Sequence, residues 1–386
     1  MPGQEQVTRG NRVILHLIET GGPGGAEQML LRLAEEYRRR GIEQMVCLRK
    51  EGWLAGEVRR RNLPLVISPL GRLPDLAWLR RMRGIALEKG VSGIHAHEFA
   101  MNVRGGLLAS RLRVPCVATV HGRGYFDQKR SRRLAYRVTS RLAGLVAVSE
   151  DIRQQLIASG VSPKRVRVLA NGVDVGRFAF DPEKRRRVRA GFGFTDQDVL
   201  LGSVGSYYPV KGHRHLVTAM KTLAETFSRV RLVLAGQGPL AEDLRKQAAG
   251  LGLTSRVQVT GYVEDTVGLL SALDLFVLPS LSEGQPLALL EAGANGRCIV
   301  ASRVGGVPEI LTDRENALLV EPGSADLLAQ ALAHLIANRS ERERLGANAE
   351  RTIRCHWSIR SVADRYLELL LPDPDLKKSG LEQARD

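Results

Sequence analysis

Short apolar runs alternate with longer stretches whose apolar residues recur every three or four positions, along nearly the whole chain. That alternation of strand-like runs with period-3.6 segments is the pattern of a parallel α/β fold. In the first half the predicted strands are VILHLI (13–18), QMVCL (44–48), PLVIS (64–68), PCVATV (115–120), LVAV (145–148) and VRVL (166–169). Between the first two, Ala26, Met29, Leu30, Leu33, Ala34 and Tyr37 mark one face of a helix. The series then restarts with VLLGSV (199–204), VRLVLA (230–235), RVQVT (256–260), LDLFVL (273–278), CIVA (298–301) and ALLV (317–320). Two doubly wound sheets in succession are expected, with the charged, Gly-spaced stretch 181–194 read as the linker. Ligands of open α/β sheets bind beyond the carboxyl ends of the strands, so two such domains are expected to face a central cleft.

One segment breaks the pattern. SEGQPLALLEAGANG, 282–296, carries two acids, Glu283 and Glu291, in an otherwise apolar or small-residue stretch. Proline is best tolerated at a helix start, so a loop ending near Gln285 and a helix from about Pro286 are predicted. Leu287, Leu289, Leu290, Ala292 and Ala294 leave that helix no polar face, which encloses Glu291. An enclosed carboxylate needs a partner or gives up its charge. The sequence offers no Arg or Lys partner for either acid, so the pair is read as gripping one extended ligand at two depths.

The length of 386 residues favours two domains, and 44% apolar with 25% charged residues is an ordinary globular composition. No apolar run approaches the roughly 18 residues that span a bilayer, and no signal peptide is evident. Cys47, Cys116, Cys298 and Cys355 form neither CxxC pairs nor a disulfide framework, so free thiols in a reducing cytoplasm are expected.

Charge changes the picture more. The net charge is +16, and residues 1–200 hold 36 Lys+Arg against 19 Asp+Glu. The excess concentrates in Arg38–Arg40, Arg59–Arg61, Arg80, Arg81 and Arg83, the run Lys129–Arg141, and Lys184–Arg189. These are either solvated helix faces or a surface for something anionic: a membrane, a phosphorylated glycan or a nucleic acid. Nucleic acid is the weakest of these, because few aromatics interleave with the basic runs.

Four features fall at predicted strand ends. GGPGGAEQ (21–28) precedes a helix, where Gly24 and Gly25 let a ligand approach and a helix N-terminus attracts anions; no GK[ST] follows, so it is not a P-loop. TVHG (119–122) ends a strand at His121, whose imidazole can meet a sugar hydroxyl or phosphate oxygen. GSYYPVKGH (205–213) puts Lys211 near a helix start, against the helix dipole, where it would stabilise charge developing on a phosphate leaving group. The acid pair is followed by ASRVGGVPEIL (301–311), with Gly305, Gly306 and Glu309 in another such loop.

With GGAEQ (24–28), TVHG (119–122), VSEDIRQQL (148–156), VLANGVDVGRF (168–178), PVKGH (209–213), LAGQGPL (234–240), EGQPLALLE (283–291) and VGGVPEI (304–310) in order, the chain resembles the nucleotide-sugar glycosyltransferases of the GT-B fold. More narrowly, it is similar to the retaining family-four group over roughly residues 13–370. The resemblance implies an acceptor-binding domain at 1–190, completed by a C-terminal helix at about 357–373. A donor-binding domain would follow at 191–356, with a frayed tail at 374–386. It gives Glu291 to the donor ribose and Glu283 to the donor sugar, with backbone amides around Gly284, Gln285, Pro286 and Leu287 helping. Lys211 would neutralise the diphosphate, Gly24 and Gly25 would close over it, and His121 would touch the transferred sugar.

No divalent metal or other cofactor is implied, and the nucleotide-sugar is a co-substrate. The expected acceptor is a glycan or lipid-linked glycan of a bacterial surface polysaccharide. The expected location is cytoplasmic, with the basic first half against an anionic membrane face. Relatives usually carry arginine five residues before the lysine, where this chain has Ser206; Arg214 or the hydroxyls of Tyr207 and Tyr208 are the candidate substitutes. Arg297 stands where the motif commonly has proline, and Tyr262 is expected to border the base pocket. Two other classes share the scaffold: a sugar-nucleotide epimerase and a non-catalytic binding homologue.

Overall fold

A computed structural model describes residues 12–71, 75–122 and 130–372. The expected tail at 374–386 and Lys129 lie outside the described residues. The chain divides into two compact units, unit 1 at 1–170 with 360–386 and unit 2 at 171–359.

Unit 1 is built on seven parallel strands: β1 Val13–Ile18, β2 Glu43–Leu48, β3 Leu65–Ile67, β4 Val91–His97, β5 Cys116–Val120, β6 Gly144–Ala147 and β7 Val166–Val168. Their order, β3-β2-β1-β4-β5-β6-β7, reverses direction between β1 and β4. β1 is buried at all six positions, as a strand of a sheet covered on both faces must be. β4 is absent from the sequence-predicted strands although it lies at the centre. Its sequence VSGIHAH has no continuous apolar run, and the two histidines that interrupt it are fully buried.

The helix Ile359–Leu370 returns the chain to unit 1, which resumes at Arg360. Tyr366 is buried there with its hydroxyl 3.4 Å from Thr119 Oγ1, and Arg40 pairs with Asp364 at 2.5 Å.

Unit 2 repeats the plan with six parallel strands: β8 Val199–Val204, β9 Val230–Ala235, β10 Val257–Val259, β11 Leu275–Leu278, β12 Cys298–Ser302 and β13 Leu318–Val320. The order is β10-β9-β8-β11-β12-β13, with its reversal between β8 and β11. Leu201, Leu232, Leu234, Leu275, Val277 and Val300 of these strands join one hydrophobic core with Leu216, Met220, Leu332 and Leu335 of the covering helices.

The boundary between the units falls at Ala170/Asn171 instead of 190/191, and the stretch read as a linker is a helix of unit 2. Asp181 caps the helix Pro182–Gly191 by accepting from Lys184 N. Arg185 Nη1 donates to the carbonyls of Ser271, Ala272 and Leu273 at 3.0, 3.1 and 3.0 Å, and Nη2 donates to Asp274 at 2.8 Å. Arg189, 2% exposed, reaches Ala272 O at 2.8 Å and Asp274 at 3.3 Å. The helix Thr266–Ala272 ends in carbonyls without helical donors, and two guanidinium groups satisfy them. This basic run is therefore a clamp inside unit 2.

Arg39 and Arg40 likewise pair with Glu36, and Arg59 and Arg61 with Glu51 and Glu57. The helix Arg130–Leu142 differs from these runs. It contains no acid, and Arg130, Arg133, Arg137 and Arg141 are exposed beside Leu134 at 61% and Val138 at 43%. All four cysteines are free, and among the described residues no helix is long and apolar enough to cross a membrane.

Candidate functional site

In an open parallel sheet the loops after the two strands flanking the reversal diverge and leave a crevice. In each unit a polar side-chain bridge crosses that point. After β8 the chain runs through Ser206 into a 3₁₀ turn, Pro209–Lys211, and then into the helix His213–Thr226. Gly212 separates the two with φ +64°, and a Cβ there would strike Pro279 O, so the position requires glycine.

The loop after β11 is tied to this turn by Leu281 N donating to Val210 O at 2.8 Å. Lys211 Nζ then donates to both Glu283 carboxylate oxygens, at 2.7 and 2.9 Å, and Ser280 Oγ donates to Oε1 at 2.7 Å. Glu283 is 7% exposed, so Lys211 is the buried-charge partner that the sequence did not reveal. Gly305, at φ +51°, lies so close to Glu283 O that a side chain there would collide with it, and Gly306 N donates to Gly284 O at 3.0 Å. The VGGVPEI loop thus braces the acid from behind.

The helix Leu287–Ala294 follows, with Pro286 as its N-cap and Glu291, 8% exposed, on its second turn. Its first N–H groups have no helical acceptors, and no side chain caps them, which suits an anion. Gln285 is partly spoken for: its side-chain oxygen accepts from Asn171 N, and its carbonyl accepts from Asn171 Nδ2 at 3.0 Å. It offers a ligand its amide nitrogen and backbone N–H.

Unit 1 has its own bridge. Thr20, after β1, donates from its backbone N and from Oγ1 to Glu98, after β4, at 2.9 and 2.8 Å. The same hydroxyl lies 2.5 Å from Glu27 Oε1. Burial raises the pKa of both Glu27 and Glu98, and the hydrogen bonds from Thr20 work against that shift. Glu98 also holds φ +66°, a strained conformation for a residue with a side chain.

Glu27 shares the GGPGG turn. Gly24 and Gly25 are exposed and begin the helix Gly25–Arg39, but the Glu27 carboxylate lies over Gly24 and supplies the anion at that N-terminus itself. A cavity of about 420 Å³ borders this loop at the carboxyl ends of β1 and β2, lined by Glu19, Thr20, Gly21, Arg49, Lys50 and Glu51 among others.

Behind the bridge stands a column of imidazoles: His16 on β1, His95 and His97 on β4, and His121 just after β5. Ring centroids are 5.7 Å apart from His16 to His95, 4.1 Å from His95 to His97, and 5.2 Å from His97 to His121. His97 Nδ1 is 2.9 Å from His121 Nε2, and His95 Nε2 is 2.9 Å from Thr119 Oγ1. Burial depresses all four pKa values, to about 4 for His16 and His121 and well below 6.5 for His95 and His97. All are neutral near pH 7.

One ring nitrogen from each of His16, His95 and His97 lies within 4.8 Å of the other two. Two nitrogens on a tetrahedral zinc, each about 2.0–2.1 Å from the ion, would sit roughly 3.4 Å apart. The rings are packed neighbours and do not form a ready ligand set.

Two family models divide the chain between them, Glycosyltransferase Family 4 over residues 23–177 and Glycosyl transferases group 1 over residues 184–352. The chain belongs to the group 1 glycosyltransferases. It is 28% identical over 374 residues to the lipopolysaccharide core biosynthesis glycosyltransferase LpsE of Rhizobium meliloti (strain 1021), covering 92% of this chain and 98% of that protein. It is 27% identical to the Escherichia coli UDP-Gal:alpha-D-GlcNAc-diphosphoundecaprenol alpha-1,3-galactosyltransferase, over 73% of this chain and 76% of that one. In fold it matches Anabaena Alr3699/HepE in complex with UDP-glucose, with a TM-score of 0.81 and 24% identity, over 92% of this chain and 98% of that one.

Within this glycosyltransferase, Lys211, Glu283, Gly284, Gln285, Pro286, Leu287 and Glu291 lie on two adjoining loops and one helix of unit 2, while Gly24, Gly25 and His121 lie in unit 1. Ser206 is half-buried in the loop after β8. Tyr207 does not replace the missing arginine, because its hydroxyl is within 2.7 Å of Leu234 O and 2.8 Å of Thr260 O, under the sheet. Tyr208, 52% exposed, and the exposed Arg214 remain as the candidates.

Arg297 stacks on Phe180 at 4.8 Å and donates to Leu273 O at 2.8 Å; burial lowers its pKa to about 10. Tyr262 is 41% exposed just beyond β10. Thr20, His97 and Glu98 went unrecognised in the sequence; the signal that could have found the last two is the polar run HAHE ending a strand in IHAHEF.

Proposed function

We propose that this glycosyltransferase moves a sugar from a UDP- or GDP-linked donor to a glycan or lipid-linked acceptor in lipopolysaccharide core or exopolysaccharide biosynthesis, with retention of configuration and without a metal. The observation that carries the donor half is the Lys211–Glu283 bridge beside the uncapped helix start at Pro286. A cation and free N–H groups suit a diphosphate, and the carboxylates of Glu283 and Glu291 accept from sugar and ribose hydroxyls. Lys211 supplies the cation that a metal would otherwise bring to the leaving group. The resemblance adds His121 on the transferred sugar, Gly24–Gly25 on the phosphates, and Ser206 in place of the usual arginine. The names of the relatives support a surface-glycan acceptor, and both UDP- and GDP-sugar donors occur among them.

Calorimetry with UDP- and GDP-sugars, followed by transfer assays in EDTA, tests this reading. One base is expected to bind, transfer is expected to survive the chelator, and Glu291→Ala is expected to weaken donor binding roughly 10- to 100-fold, the worth of about 1.5–3 kcal/mol for hydrogen bonds to a charged group. Donor turnover without transfer to any glycan acceptor would instead favour an epimerase. Binding with no turnover would favour a non-catalytic homologue.

An anionic membrane face is the proposed site of the acceptor. The helix Arg130–Leu142 supports it, because exposed arginines flank exposed Leu134 and Val138, as interfacial binding requires. Binding to phosphatidylglycerol vesicles is expected at low salt and should fall steeply toward 0.5 M salt, where the screening length is only about 4 Å. Arg130→Glu with Arg141→Glu should abolish it. Equal binding to neutral vesicles would remove this part of the reading.

A further inference from the structure

The His97 ring is fully enclosed between those of His95 and His121, and its Nδ1 faces His121 Nε2 at 2.9 Å. A single proton lies between those two nitrogens, and the ring that owns it decides what His121 offers. If His121 donated, His97 would carry its own proton on Nε2, a buried atom with no hydrogen-bond partner. A buried N–H left unpaired is the rarer defect, and an acceptor left with a bare lone pair is better tolerated. If His97 donates, its Nε2 keeps only that lone pair, and the His121 proton sits on Nδ1. His121 is half-buried, and Nδ1 is the ring nitrogen that the contact with His97 leaves for another partner.

We propose that His97 is a positioning residue, which donates from Nδ1 to His121 Nε2 and so fixes His121 as its Nδ1–H tautomer. His121 then presents a hydrogen-bond donor, and the substrate atom it meets is an acceptor oxygen of the sugar or phosphate. The His97 ring is held in turn. β4 is the central strand, the His95 ring packs at 4.1 Å, and His95 is tethered to Thr119 of the next strand. The neighbouring rings are neutral and bring no second proton that would blur the assignment.

This inference rests on the reading of His121 as a substrate contact, and the experiment separates the two. Two-bond 1H–15N spectra of the full chain, labelled at histidine and recorded at pH 7.5, report which ring nitrogen is protonated; His121 is assigned by the signal that His121→Asn removes. A protonated Nδ1 and bare Nε2 on His121 are expected, and the opposite tautomer in the wild-type protein overturns the proposal.

His97→Phe should then give a tautomer mixture at His121 and a kcat lowered roughly 10- to 100-fold with donor KM little changed, the usual result of a misplaced group. His97→Asn, whose amide nitrogen can stand near the place of Nδ1, should recover a single His121 tautomer and most of the kcat. A merely structural His97 would leave the His121 spectrum unchanged in His97→Phe, which also overturns the proposal. Wild-type turnover in His121→Asn would refute His121 as a substrate contact, while the spectrum would still decide the hydrogen bond.

Discussion

Lys211→Ala is expected to lower turnover roughly 10²- to 10³-fold, as removal of one charge-stabilising donor does, and also to destabilise unit 2 by about 2–3 kcal/mol. Glu283→Gln is expected to cost comparable activity with little loss of stability. The asymmetry comes from burial. Glu283 is 7% exposed and draws its compensation from Lys211 and Ser280, so deleting the lysine strands a carboxylate where water does not reach it. The lysine side chain is 26% exposed, so losing the carboxylate returns its ammonium to solvent; this partial exposure also keeps the stability cost below the 3–5 kcal/mol of a fully buried pair. Single-turnover rates with a saturating donor, paired with urea unfolding of each variant, check both halves. Equal stability for the two variants would mean that the ion pair is solvated in solution. Wild-type rates in both would remove them from the reaction.

Mild acid is expected to unfold unit 1 before unit 2. His16, His95, His97 and His121 all have folded pKa values depressed by burial, whereas in the unfolded chain they return to about 6.5. As pH falls below 6.5 the unfolded chain takes up protons that the folded chain refuses. The stability these rings permit is therefore complete above that pH and is lost on the way down toward the folded values. At pH 5 the loss is about 2 kcal/mol for each ring that stays neutral when folded.

Glu27 and Glu98, whose folded pKa values are raised, work in the opposite direction and return part of that loss. With four rings against two carboxyl groups the balance remains destabilising. Unit 2 contains one deeply buried ring of this kind, His213, pushed down to about 4, and His215, lowered less strongly by its partial burial. Trp53 and the fully buried Trp78 lie in unit 1 and Trp357 in unit 2, so the tryptophan fluorescence of a Trp357→Phe variant follows the melting of unit 1. Between pH 7.5 and 5 the unit 1 transition should drop by about 10 °C or more, at roughly 2–4 °C per kcal/mol for a domain of this size. A midpoint that does not move would show that the rings are hydrated in the folded state.

The parts of the molecule that were legible in the sequence are those whose signal is local. VILHLI and LDLFVL mark strands because a short, mainly apolar run has no other stable place than a covered sheet. Pro286 with the all-apolar face after it marked both the helix start and the enclosure of Glu291. What was not legible depended on partners far along the chain. Lys211 and Glu283 are 72 residues apart, and their contact exists only because β8 and β11 are neighbours in the sheet.

The same cause hid β4, whose two histidines sit in a core because Thr119 and His121 satisfy one nitrogen of each buried ring. The arginines of 185–189 read as a solvated linker because composition cannot show that a helix end elsewhere lacks donors. Tyr207 read as a candidate phosphate ligand because its burial is set by the sheet beneath it.

The chain enters unit 2 at Asn171 and leaves it at Ile359, and these two ends are stitched to each other: Val173 N donates to Trp357 O and Ile359 N to Val173 O, both at 2.9 Å. Unit 2 is thus inserted into unit 1 like a cassette, with entry and exit side by side. The corresponding unit of another member of the family can be spliced in at two adjacent points without lengthening either connection. Gene fusion and recombination act on such paired junctions. The fold therefore lets one unit be inherited and exchanged separately from the other.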